Sequence, residues 1–351
     1  MSACTRMDAG KRRRTEFARC VMMQSAIVRW SNPEVILVAT NLFDGYSLIM
    51  HAIYQAKLSH ARVLLVHVIP PSYLVTEINC TPPFVVSSSA LRVIRAKLDD
   101  LAREFEREGI TCEPIILKGL PEKEIPSLVK SSSVGRVIVA TRNTSGISRL
   151  VGMSVTEELI AGLEVPVCII GPRTRPGAAC DTPLGRVLLA TSLHLDSLLL
   201  AGVASALAEP NHSQLTLLHV LNTEGMSERQ RESARAMAQR RLCALVPNQS
   251  AHRVPPVFLV HEGDPATIIL REAGSMAQDL IILGSPHPSM VSWLLDTSVV
   301  RRIAIESQCP VIVIRPTIQA TTEYLQGLGD AEVTLAYSGE RVGRFDVNNS
   351  L

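Results

Sequence analysis

Two histidines, His67 and His219, occupy equivalent positions near the ends of two similar apolar runs, Val63–Val68 and Leu215–Val220. A histidine that recurs in this way could bind a metal ion or act as a catalytic base. Neither histidine has cysteine or carboxylate neighbours at the spacing of a metal site. We therefore interpret both as polar residues with a structural role at the end of a strand.

Other residues that could do chemistry are scattered along the chain. The eight cysteines include no Cys-x-x-Cys pair, which predicts neither a disulfide framework nor a metal site. Cys168 and Cys309 lie in strand-like runs, and we interpret them as small core residues. The sequence contains no recognisable pair of catalytic carboxylates and no nucleophile with a base, so we predict a protein that is not an enzyme.

The elements that must position these residues occur twice in the same order. Val35–Thr40 returns as Arg186–Thr191, and several further blocks return in sequence. Three equivalent pairs share one spacing of 144 residues: Gly119 and Gly263, Ala140 and Gly284, and Pro166 and Pro310. So long a period indicates a duplicated domain and not a solenoid. The length of 351 residues also suits two domains of roughly 150 residues each.

Each half alternates short apolar runs with helical patterns, which predicts parallel strands covered on both faces by helices. The predicted strands are Val35–Ala39, Val63–Ile69, Thr111–Leu117, Val137–Ala140, Pro166–Ile170, Val187–Ala190, Gln214–Leu221, Pro256–Val260, Leu280–Leu283 and Val311–Ile314. The predicted helices are Ser47–Leu58, Ser88–Arg107, Pro121–Lys130, Val155–Leu163, Ser227–Leu245, Pro265–Ala277 and Val299–Glu306. This order favours two open parallel sheets with right-handed crossovers.

The repeat also sets the expected domain boundaries. We expect an N-terminal extension over 1–32, a first domain over 33–173, a linker over 174–184 and a second domain over 185–316. The tail, 317–351, contains two short apolar stretches on either side of Ser338-Gly-Glu, which could form a hairpin or remain disordered.

Composition narrows the class of partner. The chain is 46% hydrophobic and 4% aromatic, and its formal net charge of +2 provides no field to attract nucleic acid. The one basic run, Lys11–Arg14, suits a solvated arm or a contact with an anion or a membrane. No apolar run reaches the ~20 residues of a membrane span, and we recognise no signal peptide. We therefore expect a cytoplasmic protein that binds neither nucleic acid nor membrane.

The segment from Ala140 to Glu157 resembles the signature of the universal stress protein family. The terminal runs Val165–Arg173 and Cys309–Pro316 are similar to the last strand of that family, and the resemblance covers roughly 33–173 and 185–316. The resemblance implies an α/β fold with two Rossmann-like (adenine nucleotide alpha hydrolase-like) domains. Each would be a five-stranded parallel sheet with helices on both faces. It also implies pairing through the last strand, here as an intramolecular pseudo-dimer or as a homodimer.

Some members of this family bind ATP through the pattern Gly-x2-Gly-x9-Gly-Ser/Thr after the fourth strand. Glycine there lets backbone N–H groups approach the phosphates. In the first half the three glycine positions read Ala140, Asn143 and Met153, with Gly152 as an alternative for the third, and Ser154 keeps the final hydroxyl. Met153 would place a thioether chain against the phosphates, so we predict that Met153→Gly improves nucleotide affinity. The resemblance implies a candidate ATP site in the first domain at Asn41, Val68, Ala140, Asn143, Gly146 and Ser154.

The second half departs further from the pattern. The glycine positions read Gly284, His287 and Thr297, followed by Ser298. Pro286 and Pro288 remove two backbone donors from the loop, and Asp296 adds a negative charge near the expected phosphates. The acidic residue of the family after the first strand reads Asn41 in the first half and Ser192 in the second. Any nucleotide site is therefore expected in the first half.

These features predict a non-catalytic stress-response or regulatory protein that acts through partner contacts. The alternative is an ATP-binding switch with a single site in the first domain. A third reading, an adenylating enzyme on the same fold, is disfavoured because no Ser-Gly-Gly-x-Asp-Ser loop follows the first strand of either half.

Overall fold

The computed structural model describes residues 26–43, 45–70, 88–141, 149–175, 184–194, 196–246, 252–284 and 292–316. The predicted hairpin in the tail, the basic run Lys11–Arg14 and most of the linker lie outside these ranges.

The first half begins with α1, whose described part covers 26–31, and then alternates strands with helices. Its elements are β1 (Val35–Ala39), α2 (Gly45–Ser59), β2 (Arg62–Ile69), α3 (Ser88–Arg107), β3 (Cys112–Lys118), α4 (Pro121–Ser131), β4 (Arg136–Ala140), α5 (Arg149–Gly162) and β5 (Val167–Ile170).

The second half repeats this order. Its elements are β6 (Arg186–Ala190), α6 (Ser197–Ala208), a short 3-10 helix (Glu209–Asn211), β7 (Gln214–Leu221), α7 (Glu228–Ala244), β8 (Val257–Glu262), α8 (Pro265–Ser275), β9 (Leu280–Gly284), α9 (Ser292–Glu306) and β10 (Val311–Ile314).

The described strands form one sheet in the order β3-β2-β1-β4-β5-β10-β9-β6-β7-β8. Within each half the neighbouring strands are parallel, as predicted. The two predicted parallel sheets are joined into one, because β5 and β10 pair antiparallel. The two strands would otherwise expose unpaired N–H and C=O groups along an apolar edge, which this pairing satisfies.

Apolar clusters cover both faces of the sheet. One contains α2, α3, α6 and α7 with residues of the strands, and the other contains α4, α5, α8 and α9. Cys168 and Cys309 are both buried, in agreement with their prediction as core residues. The end of the N-terminal extension also joins the core, since Trp30 in α1 is only 2% exposed.

Two equivalent glycines set the turns that precede α4 and α8. Gly119 and Gly263 have φ values of 146° and 132°, a region that only glycine adopts without strain. The proline that opens each helix two residues later has no N–H to leave unpaired. The repeated Gly-x-Pro motif is therefore a helix-start signal in both halves.

Three helices differ from the sequence expectation. The expected order requires a helix between β6 and β7, but the pattern did not delimit α6, because this helix is apolar on almost all sides and lacks a 3.6-residue stripe. The helices α5 and α9 begin at Arg149 and Ser292, and not after the glycine pattern at Val155 and Val299. Each has therefore more than one extra helical turn at its start.

Candidate functional site

The carboxyl edge of the first-half strands brings together three of the predicted site residues. Asn41 follows β1, Val68 lies near the end of β2, and Ala140 ends β4. Ligands of open parallel sheets bind at this edge, where the strand order reverses. Here the reversal lies between β1 and β4, which are paired in the sheet.

The polar groups after β1 fold back on their own loop. Thr40 Oγ1 accepts a hydrogen bond from the N–H of Leu42 at 2.9 Å, and Asn41 Oδ1 accepts one from the N–H of Phe43 at 2.8 Å. Leu42 has a φ of 69°, so the chain turns sharply here despite its side chain. The loop is fixed by its own residues.

The loop after β6 has the same construction. Thr191 Oγ1 accepts from the N–H of Leu193 at 3.2 Å and donates to Ser197 Oγ at 2.7 Å. Leu193 has a φ of 62°, which repeats the conformation of Leu42. The backbone conformation of this loop is therefore repeated in both halves.

The repeated histidines fix these loops to the neighbouring strand. His67 Nδ1 donates to the carbonyl oxygen of Thr40 at 2.9 Å, and His219 Nδ1 donates to that of Thr191 at 2.8 Å. A carbonyl oxygen can only accept, so both Nδ1 atoms carry the proton in these bonds. Burial lowers the pKa of His219 below its ordinary value of 6.5. These contacts are the structural role predicted for the pair.

The structure does not place the other three predicted site residues, Asn143, Gly146 and Ser154, at this edge. Asn143 and Gly146 lie outside the described residues. Ser154 and Met153 lie inside α5, and not at the end of a loop. A residue five positions into a helix donates its N–H to the carbonyl four residues earlier, so the backbone at Met153 is not free for phosphate. The placement of Met153 as a loop residue is therefore corrected.

The same correction applies to the second half. Asp296, Thr297 and Ser298 lie inside α9, while Pro286, His287 and Pro288 lie outside the described residues. Gly284 ends β9, and a Cβ there would lie 2.6 Å from Cδ1 of Leu200 in α6. The glycine at this position therefore permits close helix packing.

The crevices beside the two loops differ in what fills them. In the first half a cavity of about 260 Å³ is lined by Thr40, Leu42, Tyr46, Leu48, Ile49, Leu101 and Glu104. Tyr46 is exposed, whereas Leu198 at the equivalent position of the second half is buried, as is Leu193. In the second half, buried apolar side chains therefore fill the space beside the loop. The corresponding space in the first half is more open to solvent.

One acidic residue of the second loop was not singled out from the sequence. Asp196 precedes α6, and its Oδ1 is buried without a hydrogen-bond partner. Burial raises the pKa of this carboxyl, although His194 nearby and two backbone N–H groups lower it. The signal in the sequence is weak, because an aspartate before a helix usually acts only as a cap.

The described residues contain neither a cluster of metal ligands nor a helix that could span a membrane. No group of three or more His, Cys, Asp or Glu residues within them is placed to hold a metal ion. None of the helices in the described ranges is long and apolar enough to cross a membrane.

Comparison with known proteins assigns the fold and the family. The model of the universal stress protein family matches residues 33–171 and 183–315, which agrees with the two-domain split. A universal stress protein from Archaeoglobus fulgidus is similar in structure, with a TM-score of 0.63, 17% identity, and coverage of 83% of this chain and 99% of that chain. A functionally unknown protein from Pseudomonas aeruginosa gives a TM-score of 0.55 at 16% identity, with coverage of 86% and 99%.

At these identities the structural likeness shows the fold alone. No curated protein is significantly similar to this chain. The family assignment depends on the two matched ranges, which together span most of the chain and coincide with the repeat found in the sequence. The protein has an α/β fold with two Rossmann-like halves in tandem, and it belongs to the universal stress protein family.

Proposed function

We propose that this chain is a non-catalytic stress-response protein that acts through contacts with partner proteins. The observation that carries the proposal is the closed loop at the carboxyl edge of each half. The acceptors Thr40 Oγ1 and Asn41 Oδ1 bond to N–H groups of their own loop, and Thr191 Oγ1 does the same. Groups that already stabilise a turn are poorly placed to activate a substrate, since catalysis needs donors and acceptors aimed at the reacting atoms.

The proposal includes the arrangement and location of the protein. We take the two halves to act as an intramolecular pseudo-dimer, which the pairing of β5 with β10 supports. The partners would be proteins, and neither nucleic acid nor a membrane is part of this proposal. The cytoplasmic location expected from the sequence remains a prediction.

A turnover assay tests the absence of catalysis. The full chain is incubated with ATP, and release of phosphate and exchange of labelled pyrophosphate are followed. We expect neither reaction to exceed the rate without protein. A turnover that the Asn41→Ala variant abolishes would contradict the proposal, because it would place chemistry at this loop.

A second candidate, a nucleotide switch with one site in the first domain, is favoured by the cavity at the end of β1. Its volume of about 260 Å³ is below the ~300 Å³ at which pockets for drug-sized ligands begin, so only part of a nucleotide fits. The exposed side chain of Tyr46 lines the cavity and could stack on a base. The ring of Phe43 is also exposed, but Lys97 Nζ lies 4.4 Å from its centroid. Phosphates would have to bind outside the described cavity.

Calorimetry and thermal unfolding with ATP and ADP test this candidate. A ligand that binds only the native state must raise the melting temperature. The single-site hypothesis predicts that Asn41→Ala weakens binding and that Ser192→Ala, the matched change in the second half, leaves it unchanged. The absence of heat and of stabilisation at millimolar nucleotide would exclude the switch.

A further inference from the structure

A cavity of about 720 Å³ lies between the two halves, away from the carboxyl-edge loops. Its lining includes α2 and β4 of the first half, and α8 with the start of β10 in the second. The volume is within the ~300 to ~1,000 Å³ range of small-molecule sites, which often occur at domain interfaces. Gly274, Ala277 and Asp279 in the lining are exposed, so the cavity reaches solvent.

The wall from the first half is polar. It carries His51, Tyr54 and Gln55 from α2, and Arg136 from the start of β4. Gln55 links the group, because its Oε1 accepts from Arg136 Nη1 at 3.0 Å and its Nε2 donates to Cys168 Sγ at 2.9 Å. His51 Nε2 donates to the carbonyl oxygen of Arg175 at 2.8 Å. These side chains hold one another in fixed positions.

Arg136 is the buried charge of this wall. The residue is 3% exposed, and none of the described carboxylates lies within ion-pair distance of its guanidinium. Nη2 donates to the carbonyl oxygens of Trp30 at 2.7 Å and Ser31 at 3.3 Å. These carbonyl groups at the C-terminal end of α1 partly stabilise the positive charge. Nε has no partner. A buried cation with an unused donor is costly unless an acceptor reaches it.

The other charged groups of the lining are already engaged. Asp279 Oδ2 accepts from the N–H groups of Gly185 and Arg186, each at 2.9 Å. Arg175 donates to the Gln308 side chain, and Glu306 lies 3.4 Å from Arg302. Burial raises the pKa of Tyr54 to about 12, so its hydroxyl remains a donor at neutral pH.

The second half contributes both apolar and polar side chains. The apolar ones are Leu184, Leu207, Leu270 and Ile312, and the polar ones are Gln278, Asp279, Glu306, Ser307 and Gln308. The repeat shows that the hydrogen-bonded group around Gln55 and Arg136 has no counterpart in the second half. Leu207 stands at the position equivalent to Gln55, Val203 at that of His51, and Leu280 at that of Arg136.

An interface that needed only packing would not require a buried guanidinium with an unused donor. We propose that the interdomain cavity binds a small organic carboxylate with an apolar body. The acid group would accept from Arg136 Nε, and the body would lie against Leu207, Leu270 and Ile312. Gln278, whose buried Oε1 has no partner, would accept from a hydroxyl or N–H group of the ligand where one is present.

The test uses the full chain with octanoate as the probe and 1-octanol as its neutral match, both followed by titration calorimetry. Octanoate should bind with one-to-one stoichiometry and tighter than octanol. Gly274→Phe should abolish binding of both probes, since Gly274 lines the cavity and a Cβ there meets open space. Gly162→Phe is the matched control, because Gly162 also has open space around its Cβ but does not line the cavity.

A charge test identifies the anchor. Arg136→Met should weaken octanoate binding by about tenfold or more and leave octanol unchanged, because a charge-assisted hydrogen bond is lost. Should this variant fail to fold, Gly274→Phe still decides the location of the site. The proposal is overturned if octanoate does not bind, if Gly274→Phe leaves its affinity unchanged, or if octanol binds as tightly as octanoate.

Discussion

At the residue scale, the paired histidines show how one side chain can fix a loop without acting on a ligand. His67 and His219 use Nδ1 in the same way, to hold the backbone carbonyl that follows the first strand of each half. The bond requires only a proton on Nδ1, which the neutral imidazole provides. In His219, protonation of the other nitrogen adds a charge that burial opposes, which lowers the pKa of this residue.

This predicts a specific acid sensitivity. Burial lowers the pKa of His219 below 6.5, and His194 and Arg241 nearby lower it further. As the pH falls below 6.5, His219 therefore binds a proton in the unfolded state before it does so in the folded state. The contribution of His219 to the free energy of unfolding is complete above pH 6.5 and is lost as the pH falls toward the lower pKa of the folded state. His219→Asn keeps an N–H that can donate to Thr191 and removes the titrating ring.

The measurement is the free energy of unfolding by urea at about pH 7.5 and about pH 5.5. The variant should lose less stability over this interval than the wild type. Part of the loss should remain, because burial also lowers the pKa of His51. Equal losses in the two proteins would show that His219 does not contribute.

At the element scale, equivalent helices can begin with different caps. Asp264 precedes α8, and its Oδ2 accepts from the N–H of Thr267 at 2.8 Å and from Arg302 Nη1 at 2.8 Å. Leu120 holds the same position before α4 and makes no side-chain cap. The Gly-x-Pro motif therefore sets the start of both helices, and the Asp264 cap further stabilises only α8.

Exchanging the caps should change stability in opposite directions. Asp264→Ala should lower the free energy of unfolding by about 1 kcal/mol, and Leu120→Asn should raise it by a similar or smaller amount. Asparagine is preferred to aspartate at position 120 because Glu122 and Glu124 follow it. Urea unfolding measures both effects.

The control for this exchange is Asp264→Asn, which keeps the cap and weakens the ion pair with Arg302. It should cost less than the alanine variant, since exposed ion pairs contribute little. An equal cost for the two variants would assign the stability to the ion pair instead.

Sequence patterns predicted those elements whose signal is local. Val35–Ala39, Gln214–Leu221 and Val311–Ile314 have the predicted bounds, because each is a short apolar run between turn residues. The early start of α5 was missed because the glycine pattern of the family was taken to end the loop. The structure extends α5 back to Arg149 even though Gly152 is unfavourable inside a helix, so local propensity alone does not predict this start.

The candidate sites were less accessible from the sequence. The loops after β1 and β6 could be located, but their internal hydrogen bonds depend on the positive φ of Leu42 and Leu193, which no sequence pattern predicts for leucine. The interdomain cavity lies where the two halves join through β5 and β10. The family resemblance implied this pairing, but no local pattern predicts which side chains then line the cavity. Its polar wall is visible in the sequence only once the two halves are aligned.

At the scale of the whole molecule, the interface between the halves is closely packed as well as hydrogen-bonded. Gly171 follows β5, and a Cβ at this residue would lie 2.1 Å from the carbonyl oxygen of Ala304 in α9. The contacting atom belongs to the backbone of the other half, so a small side-chain rearrangement cannot relieve the overlap. The close approach of the halves therefore requires glycine here.

Gly171→Ala should destabilise the protein by about 1 to 3 kcal/mol through this overlap. Gly162→Ala, in α5 with open space around its Cβ, should be neutral or stabilise by up to about 1 kcal/mol. Chemical denaturation of the two variants gives the comparison. A Gly171→Ala variant as stable as the Gly162→Ala variant would show that the halves can separate slightly without cost.

The antiparallel pairing of β5 with β10 has a consequence for mass action. Two separate subunits joined by such a strand pair would dissociate on dilution, and their apparent stability would depend on protein concentration. In this chain a covalent linker holds the two strands, so their encounter is intramolecular and its effective concentration is fixed by the linker. The pairing of the halves of this universal stress protein is therefore independent of expression level, and dilution alone does not separate these two surfaces.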